Sequence, residues 1–278
     1  MYAAHFDYVR AGSIDEAVAL LKQHGDDAKV LAGGHSLIPA MKLRLARPTI
    51  VVDIGRIAGL SYVREAAGAI AIGAMTTHYD IETSALLQQK SPLLAETAAH
   101  IGDMQVRNKG TIGGSLVHAD PAADYPAAVL ALDAEIDLVG SRGNKRTVKA
   151  ADFFVSLLQS AAAPGEILTE VRVPATAASV AYVKTEQKAS GFALCGVAVV
   201  TSATGVRVGV TGVAATPYRA AALEQALGTR RTAEAIALAA SHAADGVEPL
   251  GDIHASPEYR AHLARVNARR ALERALAR

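Results

Sequence analysis

Two glycine pairs constrain this chain more than anything else in it: Gly33-Gly34 within Ala32-Gly33-Gly34-His35-Ser36, and Gly113-Gly114 within Thr111-Ile112-Gly113-Gly114-Ser115. Glycine turns through positive φ at no steric cost and puts no Cβ between a peptide N–H and a ligand. Each pair therefore marks a sharp bend, a close approach of backbones, or a loop that binds an anion through its main chain. Neither follows Gly-x-Gly-x-x-Gly, and neither ends in Gly-Lys-Ser/Thr as a P-loop does. One such pair alone reads as a turn. Two of them, each flanked by hydroxyl residues and apolar runs, suggest two loops converging on one anionic ligand, with a diphosphate as the leading candidate.

The surroundings of the first pair sharpen this reading. Ser13 with Glu16 forms a capping-box pattern, and Ile14, Ala17, Val18 and Leu21 follow at helical spacing, so a helix is expected to about Gln23. A short buried strand, Ala28 to Ala32, then runs into the glycines. Ser36 can cap a following helix in which Leu37, Met41 and Leu45 share a face, with Pro39 in the first turn and Pro48 closing it. Thr49 to Ile54 is a β-branched strand. Strands separated by a helix pair in parallel through a right-handed crossover. The Gly33-Gly34 loop is thereby placed at the carboxyl end of a strand and the amino end of a helix, where free N–H groups favour an anion.

Further along, Ala69 to Gly73 is the clearest strand, Thr77 starts a helix through Leu87, and Pro92 starts another. Pro126 to Leu132 reads as helix, and Glu135 to Val139 as a strand with a basic, solvated tip at Arg142 to Arg146. Asp152 to Leu158 reads as a short helix and Glu166 to Pro174 as an alternating strand. Thr176 to Ser179 resembles a linker. Beyond it come strands at Val180 to Glu186, Phe192 to Thr201 and Val206 to Val213, the last two joined at Thr204-Gly205. Helices follow at Ala220 to Leu227 and Ala233 to Ala243, and a last one starts at Ser256-Pro257.

The 278 residues carry a net charge of +1, so no electrostatic footprint for nucleic acid is present. Cys195 is the only cysteine, which excludes an internal disulfide and any iron–sulfur cluster or zinc site built from this chain's own thiolates. Met1 to Asp7 shows neither a basic region nor an apolar one, so no secretory signal is expected. The longest uncharged run, Ala189 to Val206, is rich in Gly, Ser and Thr and favours strands over a membrane span. The cytoplasm is the expected compartment. His78, His100 and His118 are not spaced as a metal set and read as packed or solvated. No nucleophile or triad stands out.

The two glycine loops, together with Ala119-Asp120-Pro121-Ala122-Ala123-Asp124 and a C-terminal segment carrying Lys184, Lys188, Phe192, Ala193, Glu248-Pro249 and Tyr259-Arg260, resemble the FAD-binding medium subunit of the molybdenum hydroxylases, the xanthine dehydrogenase family with its carbon monoxide dehydrogenase-like members. The likeness covers the whole chain. It implies an α+β protein: a two-subdomain FAD-binding fold of the vanillyl-alcohol-oxidase (PCMH) type, then a C-terminal domain of a three-stranded antiparallel sheet and helices. The expected divisions are residues 1–57, βαβ-like, 58–176 and 177–278. It further implies a heterohexamer with two copies each of this chain, a molybdopterin large subunit and a small subunit bearing [2Fe–2S] clusters. Electrons would pass from those clusters to FAD on this chain and on to an external acceptor.

The same likeness implies roles for single residues. Ala32, Gly33, Gly34, His35, Ser36 and Leu37, with Thr111, Ile112, Gly113, Gly114 and Ser115, are the candidate cradle for FAD; Ser36, Thr111 and Ser115 could each offer a hydroxyl to phosphate while capping a helix, with a purely structural cap as the other reading. Asp124 corresponds to a residue that accepts from ribityl or ribose hydroxyls, with plain helix capping as the other reading, and Asp120 reads as structural. Ile101 and Leu168 offer main-chain contacts and apolar packing to adenine, or are core. Lys188 falls near the flavin N1–C2=O edge, or is a solvated lysine. Phe192 falls where an aromatic often lies near the isoalloxazine. Gln105 to Lys109 is a candidate electron-entry or partner surface, with Arg107 alternatively in an internal ion pair. Two rival functions stand beside the electron-transfer subunit: a free-standing flavin oxidase or reductase of the same fold, and a module that binds FAD without turnover.

Overall fold

The structure, a computed structural model, describes residues 2–175 and 178–277; Thr176 and Ala177 of the expected linker lie outside the described residues. The chain opens with β1 (Asp7–Arg10), α1 (Ile14–His24), β2 (Ala28–Leu31), α2 (Leu37–Lys42) and β3 (Ile50–Asp53). These three strands form one sheet in the order β1-β3-β2, parallel throughout, with Ile50 opposite both Asp7 and Ala28. Strand β1 escaped the sequence reading because it is an edge strand with mostly exposed side chains, held by backbone pairing that no apolar pattern announces. Ala17, Val18 and Leu21 of α1 pack into the sheet. The Ser13 hydroxyl accepts from the Glu16 amide at 3.1 Å, but the Glu16 carboxylate accepts from Gly12 N–H at 2.7 Å, one residue upstream of its expected partner. Helix α2 stops at Lys42, too short for Leu45, which is left exposed instead of sharing a face with Leu37 and Met41.

The middle of the chain contains β4 (Val63–Ala66), β5 (Ala69–Gly73), α3 (His78–Thr83), α4 (Ala85–Lys90), α5 (Pro92–Ala99), α6 (Met104–Arg107), α7 (Ile112–His118), α8 (Tyr125–Ala131), β6 (Glu135–Val139), β7 (Lys145–Lys149), α9 (Ala150–Phe153), β8 (Phe154–Ser156), β9 (Gln159–Ser160) and β10 (Ile167–Pro174). An antiparallel sheet runs β4-β5-β10-β6-β7. The single helix expected from Thr77 to Leu87 is two: Thr77 and Asp80 form a capping box at α3, and the Ser84 hydroxyl, which caps α4, interrupts the run. The helix expected over Asp152 to Leu158 ends at Phe153, because Phe154 turns extended at φ −96 and ψ 101 and pairs with Ser160 in the β8–β9 hairpin, whose turn Leu158 makes at φ +57.

The remainder holds β11 (Val180–Glu186), β12 (Ala193–Ser202), β13 (Gly205–Thr211), β14 (Tyr218–Arg219), α10 (Ala221–Leu227), α11 (Ala233–Ser241) and α12 (Pro257–Leu276). The sheet is antiparallel in the order β11-β12-β13-β14, so a two-residue edge strand joins the three expected ones. One face, with Val197, Val199 and Val208, packs on α10, α11 and α12. The other, with Val180, Tyr182, Ala198 and Val200, shares a core with Leu93, Leu94, Tyr125 and Val129 from the middle of the chain. At Gly209 the approach is so close that a Cβ would overlap the Ala127 carbonyl oxygen. Arg207 Nε donates to Ala131 O at 2.8 Å and Arg219 Nη1 to Leu130 O at 3.3 Å, placing cations on the exit carbonyls of α8.

Candidate functional site

The two glycine loops meet. A Cβ at Gly33 would overlap the carbonyl oxygen of Lys109 and lie 2.8 Å from Gly110 Cα, and a Cβ at Gly114 would lie 3.5 Å from Ala32 Cβ. Loops separated by some eighty positions in sequence are thus in van der Waals contact. Gly34 turns at φ +78, which lets the chain leave β2 and enter α2. Along this bend the amides of Gly33, Gly34, His35, Ser36 and Leu37 donate to no acceptor among the described residues. Ser36 stands at the N-cap of α2, yet its hydroxyl makes no capping bond, contrary to the sequence reading. His35 and Ser36 are exposed. A row of unpaired N–H groups on an exposed bend is a donor set suited to an anion's oxygens.

The second loop differs. Thr111 caps α7, its hydroxyl accepting from Gly114 N–H at 3.2 Å. Ile112 N–H donates to Thr76 O at 3.1 Å and Gly113 N–H to Ala74 O at 2.9 Å. The expectation that both loops present a row of main-chain donors therefore holds for the first alone, because the strand-to-helix connection after β5 consumes the amides of the second. Gly113 is a glycine for packing: its Cβ would fall 2.7 Å from Ala74 Cβ and 2.8 Å from Ala74 O. What this loop still offers is the Ser115 hydroxyl, which has no partner among the described residues. Leu168 lies under this loop, because the next residue, Thr169, accepts from Ala74 N–H at 3.0 Å; its own side chain is core.

His78 lies at the floor of the seam, 5% exposed, with its ring against Gly110 and edge-on to Tyr125, centroids 5.2 Å apart. Burial, with His35 and then Arg107 adding positive charge, pushes its pKa down to about 4. A base whose folded pKa lies below its ordinary 6.5 contributes stability that is present above that value and lost as pH falls toward 4. The difference corresponds to about 3 kcal/mol. Relative to the wild type, His78→Asn should therefore gain about that much between pH 6.5 and pH 4. The check is the difference between two denaturant-unfolding curves at each pH, and a difference that stays constant refutes it.

Asp124 is 5% exposed, and its carboxylate is already engaged by two groups: Tyr182 Oη donates at 2.5 Å and Lys184 Nζ lies 2.8 Å away. It makes no capping bond to α8, so the helix-cap alternative is excluded. Burial pushes its pKa up to about 6, against the pull of Lys184. Lys184 also donates to His100 O at 2.8 Å. Sequence reasoning quoted Lys184 but gave it no role. The signal was its parity: Val180, Tyr182 and Lys184 alternate onto one face of β11, and a lysine on a buried face requires a partner.

The segment before Asp124 is sewn to the C-terminal sheet. Pro121 O accepts from Gly212 N–H at 2.7 Å, Ala122 O from Ala193 N–H at 3.1 Å, and Ala123 O from the Thr211 hydroxyl at 2.7 Å. Asp120 holds its own turn through Ala122 N–H at 2.8 Å, as its structural reading has it. Ile101 N–H donates to Ala98 O, and its carbonyl accepts from Arg107 Nη1 at 3.2 Å, leaving one lone pair. Arg107 is also paired with Glu82 at 2.8 Å, the internal ion pair named as its alternative. A Cβ on Gly191 would lie 3.5 Å from Gly102 Cα, so the loop carrying Lys188 and Phe192 closes over the turn after Ile101. Phe192 is exposed, and Lys188 is exposed beside Glu186 at 3.1 Å. Among the described residues no three His, Cys, Asp or Glu side chains gather as a metal would require. Among them, too, no helix is long and apolar enough to cross a membrane.

Comparisons with known proteins agree along the whole chain. Residues 4–176 match the family profile described as the FAD binding domain in molybdopterin dehydrogenase, and residues 180–275 that of the CO dehydrogenase flavoprotein C-terminal domain. The chain is 42% identical to the carbon monoxide dehydrogenase medium chain of Hydrogenophaga pseudoflava, covering 100% of this chain and 99% of that one. It is 38% identical to subunit alpha of the 6-hydroxypseudooxynicotine dehydrogenase complex of Paenarthrobacter nicotinovorans, covering 98% and 95%. A chain of the reconstituted CO dehydrogenase from Oligotropha carboxidovorans superposes with a TM-score of 0.96 at 40% identity, with full coverage of both.

Proposed function

The chain belongs to the FAD-binding flavoprotein subunits of the molybdopterin dehydrogenases, and from that premise we propose that it receives electrons from [2Fe–2S] clusters of a partner subunit and delivers them to an external acceptor. The observation that carries this reading is the row of unpaired amides from Gly33 to Leu37, held against the second glycine loop. These residues fit a diphosphate, whose oxygens accept from several main-chain donors at once. With Ala32 they would form the seat, together with Thr111, Ile112, Gly113, Gly114 and Ser115 from the facing loop. Ile101 and Leu168 would face the adenine, while Asp124, Lys188 and Phe192 would line the ribityl and flavin end. Bound there, FAD supplies the redox chemistry, and the protein contributes orientation and electrostatics.

Cys195, the one thiol, is buried, so the clusters must be carried by another subunit. We place the molybdopterin on a large subunit and the clusters on a small one, two copies of each chain per assembly, in the cytoplasm. The molecule oxidised is selected by the large subunit. Relatives of similar identity are named for carbon monoxide and for 6-hydroxypseudooxynicotine, so this chain is common equipment for different substrates. We divide it at residues 57 and 176.

Purification of the chain from its native host tests the reading. The expected result is a yellow complex that co-elutes with molybdenum and iron, and whose flavin is bleached by substrate only while the partner subunits are attached. An isolated FAD-loaded chain that oxidises a substrate by itself would make it a free-standing enzyme instead.

A further inference from the structure

His78 is the first residue of α3, and its own backbone belongs to the seam: its N–H donates to Gly110 O at 2.9 Å, and the preceding Thr77 is bridged to Thr111. Its ring then fills the space under Gly110, where a Cβ would overlap Nε2 and lie 2.7 Å from Cδ2. Gly33 also abuts Gly110, where its Cβ would lie 2.8 Å from Gly110 Cα, so the one residue Gly110 touches both the His78 ring and the first glycine loop. As core material the histidine is a poor choice. Its Nδ1 is buried without a partner among the described residues, and so is the hydroxyl of Tyr125 against which the ring packs. Unpaired buried polar atoms cost free energy that an apolar side chain of similar size would not. The residue's value is therefore to be sought in the loop it supports.

We propose that His78 is a positioning residue for the dinucleotide: its imidazole, wedged beneath Gly110, fixes the separation of the two glycine loops and thereby the seat of the diphosphate. The inference rests on the flavin reading above. It assigns His78 no contact with the ligand. The imidazole acts through Gly110 on the Gly33 bend, whose amides are the donors.

The full-length chain, stripped of FAD and reconstituted, carries the test, with affinity read from quenching of flavin fluorescence and the seat read from the ³¹P resonances of the bound diphosphate. Gly110→Ala should weaken FAD binding about 30-fold, because the new methyl group meets the ring. His78→Ala should weaken it about tenfold and move the ³¹P signals, since the loop loses its support. In the double variant Gly110→Ala should cost less than about threefold beyond His78→Ala, because the methyl group enters the vacated space. If His78→Ala is isolated unfolded, His78→Asn takes its place in the cycle. The proposal is overturned if Gly110→Ala costs the same with and without the ring, or if the His78 variant binds FAD as the wild type does with unmoved ³¹P signals. A wild-type chain that takes up no FAD overturns the flavin reading itself, and this one with it.

Discussion

Gly33→Ala should leave a protein that still folds but no longer retains FAD through purification. The added methyl group would overlap the Lys109 carbonyl oxygen and press on Gly110 Cα, both of them backbone atoms. No rotamer change relieves such a clash, so the loops must part. Overpacking of this kind costs about 2–3 kcal/mol, and if the seat bears all of it, FAD affinity falls by roughly 30- to 150-fold. Gly34→Ala is the informative comparison. Its φ of +78 strains any other residue, but the atoms a Cβ would meet are the flexible Ile38 and Leu31 side chains, which can move aside. That variant should lose about 1 kcal/mol, roughly fivefold in affinity. Titration of both variants with FAD decides the matter, and equal losses would show that conformational freedom, rather than loop contact, is what position 33 requires.

The contrast also marks where sequence reasoning stopped. The strand, loop and helix around Gly33 were legible because hydrophobic spacing, a capping serine and a β-branched run are local signals, and parallel pairing of β2 with β3 follows from the intervening helix. The contact between Gly33 and Gly110 was not legible, since it depends on how two sheets pack. Glycines were expected in both loops for the ligand's sake. In the structure Gly113 is glycine because Ala74 approaches it, and its amide is spent on Ala74 O. Sequence spacing reads His78 as packed or solvated rather than as a metal ligand, and it is packed, but spacing is blind to shape and cannot say what the ring packs against. Phe154 shows the converse: an apolar run that scans as helix turns extended there, at φ −96 and ψ 101, to pair with Ser160 in a hairpin that no residue type announced. Asp124 was singled out through family likeness, yet what its carboxylate holds in this chain is Lys184 and Tyr182, two residues of a strand that sequence spacing could not bring to it.

Lys184→Met should be the most destabilising single substitution at this site, and its effect should depend on pH. Asp124 and Lys184 are 5% and 2% exposed at the side chain, so removing the cation leaves a carboxylate with only Tyr182 to compensate it. Breaking a buried pair on one side costs about 3–5 kcal/mol. That penalty applies to the ionised acid. Burial already pushes Asp124 up to about 6, and Lys184 is the largest influence holding it down. A carboxyl whose folded pKa exceeds its ordinary 3.8 binds its proton more tightly in the folded state, so its contribution is full below that value and is lost as pH rises through the folded one. Without Lys184 that folded value moves higher still. The variant should therefore lie close to the wild type at pH 5, where the acid is neutral, and fall away as pH rises toward 8. Unfolding at the two pH values measures this, and an equal deficit at both would mean that Lys184 acts through its bond to His100 O instead. Asp124→Leu added to Lys184→Met should recover most of the loss, since an apolar pair removes both buried charges together. Because Ala122 and Ala123 tie the same segment to β12 and β13, a broken pair should loosen the seating of the C-terminal sheet, including the loop that carries Phe192 over the turn after Ile101. Proteolysis at that loop should accordingly quicken in Lys184→Met at pH 8 and not at pH 5.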